Sequence, residues 1–252
     1  MTRLLIVTAV AAERDAVLGA LPGRPADGTL AGQPVLRAAS PAGLVDVVAG
    51  GVGPVAAALS AAALLAAARY DLVLAAGLAG GFPPAEVGGL VVADRVTFAD
   101  LGAELADGGF AALSELGLGE VSLAADPALA RLLAGRTGGV AGTVLTVSTV
   151  TGSRARAERF RQAHPDAVAE AMEGAAVAVA ARQAGVRFGE LRAVSNPVGP
   201  RDRASWRLTE ALAALTGGVG RLLGAPLLPG LLPGENEGRT MTDERSCEEE
   251  KS

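Results

Sequence analysis

Seven short apolar runs recur along the chain, at residues 4–10, 44–49, 72–76, 90–97, 142–147, 167–172 and 190–194, and most are unbroken rather than alternating. Unbroken runs of this length predict strands covered on both faces, because a strand with one wet face alternates polar and apolar positions. Stretches at residues 55–69, 154–162, 174–184 and 206–223 predict the helices that supply the cover. The expected fold is three-layer α/β, one domain over residues 1–225 with no interior linker.

From residue 226 the character changes, as Pro-Gly pairs lead into residues 235–252, which are polar and show no hydrophobic period. A disordered tail is the expectation for 226–252. Seven acids and three bases give residues 235–252 a net charge of −4, which leaves −1 of the formal −5 for the rest of the chain. With no basic block and only 3% aromatic residues, nucleic-acid binding is not expected. The longest apolar run, residues 55–68, is shorter than the ~20 residues a membrane span needs. Residues 4–12 follow a lone Arg3 and read as a strand leading into an acidic segment rather than a secretory signal. These readings point to a cytoplasmic protein with no membrane partner.

Composition then narrows the chemistry. Lys251, His164 and Cys247 are the only residues of their types, and two of them lie in the tail. A lysine Schiff base, a phosphate-loop lysine, a cysteine nucleophile and a multi-His or multi-Cys zinc site are all disfavoured, so no metal and no cofactor are expected. His164 precedes Pro165 in a polar stretch and reads as a loop or helix-end residue. Catalysis must rest on carboxylates, amides, hydroxyls, arginines and backbone groups.

Three polar groups fall where such chemistry is placed. Glu173 stands between a predicted strand and an Ala-rich predicted helix, at the sheet edge where open α/β folds bind ligands. Glu13 follows the first strand and Ser195-Asn196 the last, so all three converge on one rim. Each acid also has a plainer reading: Glu173 as a helix N-terminal acid stabilised by the macrodipole, by up to ~1 kcal/mol, and Glu13 as a surface acid. Gly50-Gly51-Val52-Gly53-Pro54 joins a strand to a helix, with Pro54 suited to the first helical position. Its amides fit an anion, or the segment is only a tight turn. Gly77-Leu78-Ala79-Gly80-Gly81 reads as a second turn whose glycines admit a ligand to the backbone.

With these segments in order, the chain resembles the nucleoside phosphorylase and nucleosidase superfamily, in particular its hydrolytic branch of methylthioadenosine/S-adenosylhomocysteine nucleosidases and futalosine hydrolases. The resemblance covers residues 4–223. It rests on Thr8-Ala9-Val10-Ala11-Ala12-Glu13, Gly51-Val52-Gly53-Pro54, Gly77-Leu78-Ala79-Gly80-Gly81, Val92-Ala93-Asp94, Met172-Glu173-Gly174 and Arg192-Ala193-Val194-Ser195-Asn196. It implies a mixed central β-sheet, a homo-oligomer, and cleavage of the N-glycosidic bond of a purine nucleoside through an oxocarbenium-like transition state. By the same resemblance Glu13 activates the attacking water, Arg192 helps to place it, Glu173 accepts hydrogen bonds from the ribose diol, and Met172 lies against sugar or base. Ala79, Gly80, Thr149, Val150 and Ser195 fall at segments that border the nucleoside.

The departures bear on the substrate. Adenosine-type nucleosidases carry Ser-Asp where this chain has Ser195-Asn196. An asparagine amide donates to N7 and to a 6-oxo group, whereas an ionised Asp faces that oxygen acceptor against acceptor. An unpaired buried acceptor costs ~1–3 kcal/mol. Asn196 therefore favours hypoxanthine over adenine, and the following Pro197-Val198-Gly199-Pro200-Arg201-Asp202-Arg203 is similar to futalosine hydrolases, which act in menaquinone biosynthesis. Asp202 either assists the base or caps the next helix. Leu78 replaces a serine of the adenosine branch. Glu170 stands one residue before the position of that branch's extra acid, and only a strand bulge would restore its direction. The competing functions are methylthioadenosine/S-adenosylhomocysteine hydrolysis, phosphorolysis, and nucleoside binding without catalysis.

Overall fold

A computed structural model describes residues 1–227, so the tail expected over 226–252 lies almost wholly outside the described residues. The chain runs β1 (Arg3–Thr8), α1 (Ala11–Leu18), β2 (Ala26–Leu30), β3 (Gln33–Ser40), β4 (Gly43–Ala49), α2 (Pro54–Ala67), β5 (Leu72–Gly81) and β6 (Leu90–Phe98). A small hairpin, β7 (Gly102–Glu104) and β8 (Phe110–Ala112), precedes β9 (Ser122–Ala124), α3 (Pro127–Thr137), β10 (Val140–Thr146), α4 (Arg154–Ala163), β11 (Ala167–Ala171), α5 (Gly174–Gln183), β12 (Arg187–Pro197) and α6 (Leu208–Leu223).

Ten strands form one mixed sheet in the order β11-β10-β6-β12-β5-β1-β4-β3-β2, with β9 beside β6. The far end of β5 also pairs antiparallel with β11, so one half of the sheet curls round and closes on itself. The unbroken apolar runs follow from burial on two sides. Leu4 and Ile6 of β1 share a core with α1, α3 and α6, while Leu5 and Val7 face a second core with α2 and α5. Alanine dominates α2 and α5, which lets these helices lie close to the strands.

Each of the seven expected strands and four expected helices is present, with shifts of a few residues at the ends. The final helix begins at Leu208 rather than 206, because Asp202 caps a short 3-10 turn, Arg203–Ser205, by accepting from the Ala204 amide at 3.1 Å. His164 is the C-cap of α4, and burial lowers its pKa. The expected turn at residues 77–81 is a continuation of β5. These residues carry no β-branched or aromatic side chain, yet β12 on one side and β11 on the other pair with their backbone. Elements α1, β2, β3, β7, β8, β9 and α3 are short or have weak or polar patterns and lie outside the expected elements; the β2–β3 hairpin stands at the sheet edge.

Candidate active site

Glu13 is the third residue of α1, not a loop acid, and is buried. Its Oε2 accepts from the amides of Ala9 and Val10 at 2.9 and 3.2 Å, as a side chain at this helix position does when it satisfies otherwise unpaired N–H groups. Its Oε1 accepts from the Leu78 amide at 2.7 Å, across to β5. That reach is possible because residue 77 is glycine. A Cβ there would lie 2.6 Å from Glu13 Oε1 and 3.0 Å from Arg192 Nη1, so the carboxylate and the guanidinium crowd the same point over β5.

Arg192, on β12, is 1% exposed and joins two further acids. Its Nη1 donates to Glu173 Oε2 at 3.1 Å and its Nε to Glu190 Oε1 at 2.7 Å. Glu173 is the N-cap residue of α5, and its Oε1 accepts from the Gly53 amide at 3.0 Å. The Gly50–Gly53 segment thus does present an amide to an anion, and that anion is the chain's own carboxylate. Burial acts to lower the Arg192 pKa, but the neighbouring charges of Glu190, Glu173 and Glu13 outweigh it and the net shift is upward. Glu190 is fully buried, and its pKa is pushed up by that burial against the pull of Arg192. Three carboxylates around one guanidinium make the site negative, which suits a cationic sugar and opposes an incoming phosphate.

Beside this cluster opens a narrow cleft lined by Gly80, Val150, Thr151, Glu170, Asn196 and Trp206 among others. Ser195 is buried and its Oγ lies 3.3 Å from the Ala79 carbonyl and 2.8 Å from Asn196 Oδ1, to which it donates. The serine thereby sets the amide plane. Asn196 Nδ2 spends one hydrogen on the Pro197 carbonyl at 2.9 Å and keeps the other to donate. Met172 is half-buried against the cluster that contains Phe82, Leu145 and Val147. Of the expected site residues Gly80, Val150 and Asn196 line this cleft, while Glu13, Arg192, Glu173, Met172, Ala79, Ser195 and Thr149 do not. Thr149 is exposed, with its amide turned to Asp100 at 3.3 Å. A hollow of about 400 Å³ lies elsewhere, beside Asp100, Arg156 and His164, but there the charged pair Asp100–Arg156 is joined at 3.1 Å.

One buried acid of this region, Glu190, lacks a clear signal in the sequence, whereas Glu170 is legible there as an acid that needs a strand bulge. Glu190 sits inside an apolar run, where a carboxylate is rare unless paired, and that rarity was the available clue. Glu170 enters the cleft because β11 slips register by one residue against β10, around Val168. Its oxygens accept from the Thr151 amide at 2.8 Å and the Thr151 hydroxyl at 2.5 Å. Burial raises its pKa, and these two donors oppose the rise. Among the described residues no group of three or more His, Cys, Asp or Glu side chains is arranged to hold a metal ion.

Residues 4–222 match the model of the phosphorylase superfamily. The chain is similar to a futalosine hydrolase of Streptomyces coelicolor, with 54% identity over 92% of this chain and 99% of that one. It is likewise similar to a futalosine hydrolase of Acidothermus cellulolyticus, with 49% identity over 84% of this chain and 86% of the relative. In three dimensions it is similar to a 5′-methylthioadenosine/S-adenosylhomocysteine nucleosidase of Neisseria meningitidis solved with methylthio-immucillin-A. The TM-score is 0.76 at 20% identity, over 89% of this chain and 99% of that one.

Proposed function

Because this chain belongs to the phosphorylase superfamily, we propose that Glu13, Glu173 and Asn196 act together to hydrolyse the N-glycosidic bond of futalosine, releasing hypoxanthine, in menaquinone biosynthesis. The chain is an N-glycosyl hydrolase that takes a purine nucleoside. The observation that carries the substrate is its 54% identity to a futalosine hydrolase along nearly the whole length of both chains.

In the proposed reaction the hypoxanthine N9 to anomeric carbon bond breaks, its electron pair leaving with the base as the purine anion, while water adds to that carbon and gives its proton to Glu13; the base then takes a proton from solvent and Glu13 returns its own to solvent. Arg192 helps to place the water. Glu173 has one lone pair on each oxygen spent on Gly53 and Arg192, which leaves one on each for the two ribose hydroxyls. Asn196 donates its remaining hydrogen to the base and eases the charge that develops on the leaving purine. Support for hydrolysis over phosphorolysis comes from the surplus of carboxylates and from the Gly53 amide already held by Glu173. Residues 1–225 are proposed as the catalytic unit, acting in the cytoplasm. No helix among the described residues is long and apolar enough to cross a membrane.

Purified protein is expected to release hypoxanthine from futalosine at the same rate with and without phosphate. Base appearing only with phosphate would overturn the hydrolytic reading. The Asn196→Asp variant is expected to shift preference from 6-oxopurine toward 6-aminopurine nucleosides by about 10-fold, from ~1–3 kcal/mol for an unpaired acceptor. An unchanged ratio in a nucleoside panel removes Asn196 as the selector. A homo-oligomer is also proposed, on the strength of Val52, Val55 and Leu59, which are 56%, 72% and 68% exposed at the start of α2, next to Gly53. A monomer mass in light scattering contradicts it.

A further inference from the structure

We propose that Glu170 reads the N1–H of the departing purine, so that Glu170 and Asn196 together select a 6-oxopurine over a 6-aminopurine. This rests on the hydrolytic reading of the site and adds the group that recognises the far edge of the base. The placement follows from strand register. Gly80 of β5 pairs with Glu170 of β11 on one side and with Asn196 of β12 on the other. Residues in register on neighbouring strands project to the same face of a sheet. The row therefore reads carboxylate, no side chain, amide, and both polar side chains line one cleft. A Cβ on Gly80 would lie 2.8 Å from Val198 Cγ2 and 3.4 Å from Asn196 Nδ2, so the absence of a side chain at residue 80 keeps the middle of the row clear.

A flat base entering this slot meets two different partners. Asn196 offers a hydrogen toward N7 and O6, both acceptors in a 6-oxopurine. An ionised carboxylate only accepts, and N1 of a 6-oxopurine carries a hydrogen. In a 6-aminopurine N1 is itself an acceptor, so Glu170 would oppose it, lone pair to lone pair. Glu170 is held for this task. It is 6% exposed, and the Thr151 amide and hydroxyl each occupy one of its oxygens, which leaves a lone pair on each. If Glu170 were only a tether for the Thr151 segment, its loss would weaken every substrate alike.

That difference sets the experiment. kcat/KM is measured for futalosine and for its 6-amino counterpart, and the binding of free hypoxanthine and adenine by calorimetry, in the wild-type protein and in Glu170→Gln. Glutamine keeps the shape but offers N1 a donor or a weaker acceptor. The 6-oxo to 6-amino ratio is expected to fall about 10-fold or more in both assays. Equal losses on the two substrates, or a ratio within about 2-fold of wild type, would overturn the role of Glu170. Thr151→Val, which removes only the hydroxyl that orients the carboxylate, is expected to move the ratio the same way by about 3-fold, and it carries the test should Glu170→Gln not fold. An unmoved ratio there counts against the proposal equally. A wild-type protein that prefers adenine refutes the hypoxanthine reading of the whole site, before any variant is made. A wild-type preference for hypoxanthine that survives both changes refutes Glu170 alone.

Discussion

Glu13→Gln is expected to bind nucleoside with an affinity close to that of the wild-type protein and to turn it over about 10²–10⁴-fold more slowly, the range for losing a positioned general base. The side chain keeps its length, and its remaining oxygen can still accept from the Leu78 amide, which lies 2.7 Å from Oε1. What disappears is a group able to take the water's proton. The new NH2 would face the amides of Ala9 and Val10, donor against donor, and an unsatisfied pair of this kind costs about 1–3 kcal/mol of stability. Single-turnover rates and nucleoside affinity, measured alongside a melting curve, separate these effects. Turnover within about 10-fold of wild type would remove Glu13 as the base.

Arg192→Met has the largest expected effect on stability. The guanidinium is 1% exposed, and removing it leaves Glu173 and Glu190 buried without their partner. Breaking one side of a buried ion pair costs about 3–5 kcal/mol, because the desolvated charge that remains has nothing to offset it. For a chain of this size that lowers Tm by roughly 10 °C. Adding Glu190→Met to the same chain is expected to recover much of the loss, since it removes one stranded carboxylate and fills the space with apolar atoms. Activity is expected to stay low in the double variant, as Glu173 still lacks the arginine that orients it. Thermal melts of the two single variants and the double variant decide the matter: losses that simply add would show that Arg192 and Glu190 do not act as a pair.

The outcome for individual residues divides along one line. Glu13, Glu173 and Asn196 are legible as candidates in the sequence because each ends or follows a strong apolar run, and runs of this kind are local signals. The meeting of Glu13 and Arg192 over β5 depends on Gly77, whose missing side chain admits both. The glycines at 77–81 read as a turn for a local reason as well, since residues of that type ordinarily break strands. In the fold their backbone is paired from both sides, and this pairing overrides the propensity.

The chain by itself determined the three-layer order, the absence of lysine and cysteine from residues 1–225, and the amide where relatives of the adenosine branch carry an acid. These are matters of residue type and short-range period. Tertiary structure decided which acids meet. Glu190 joins Arg192 from two residues away on the same strand, and that contact exists only because Gly174 leaves room for its carboxylate at the start of α5. Glu170 shares a cleft with Asn196 only because β11 slips by one residue and closes the sheet against β5, some 90 positions earlier in the chain. Register between distant strands comes from packing of the whole core, and no window of sequence contains it.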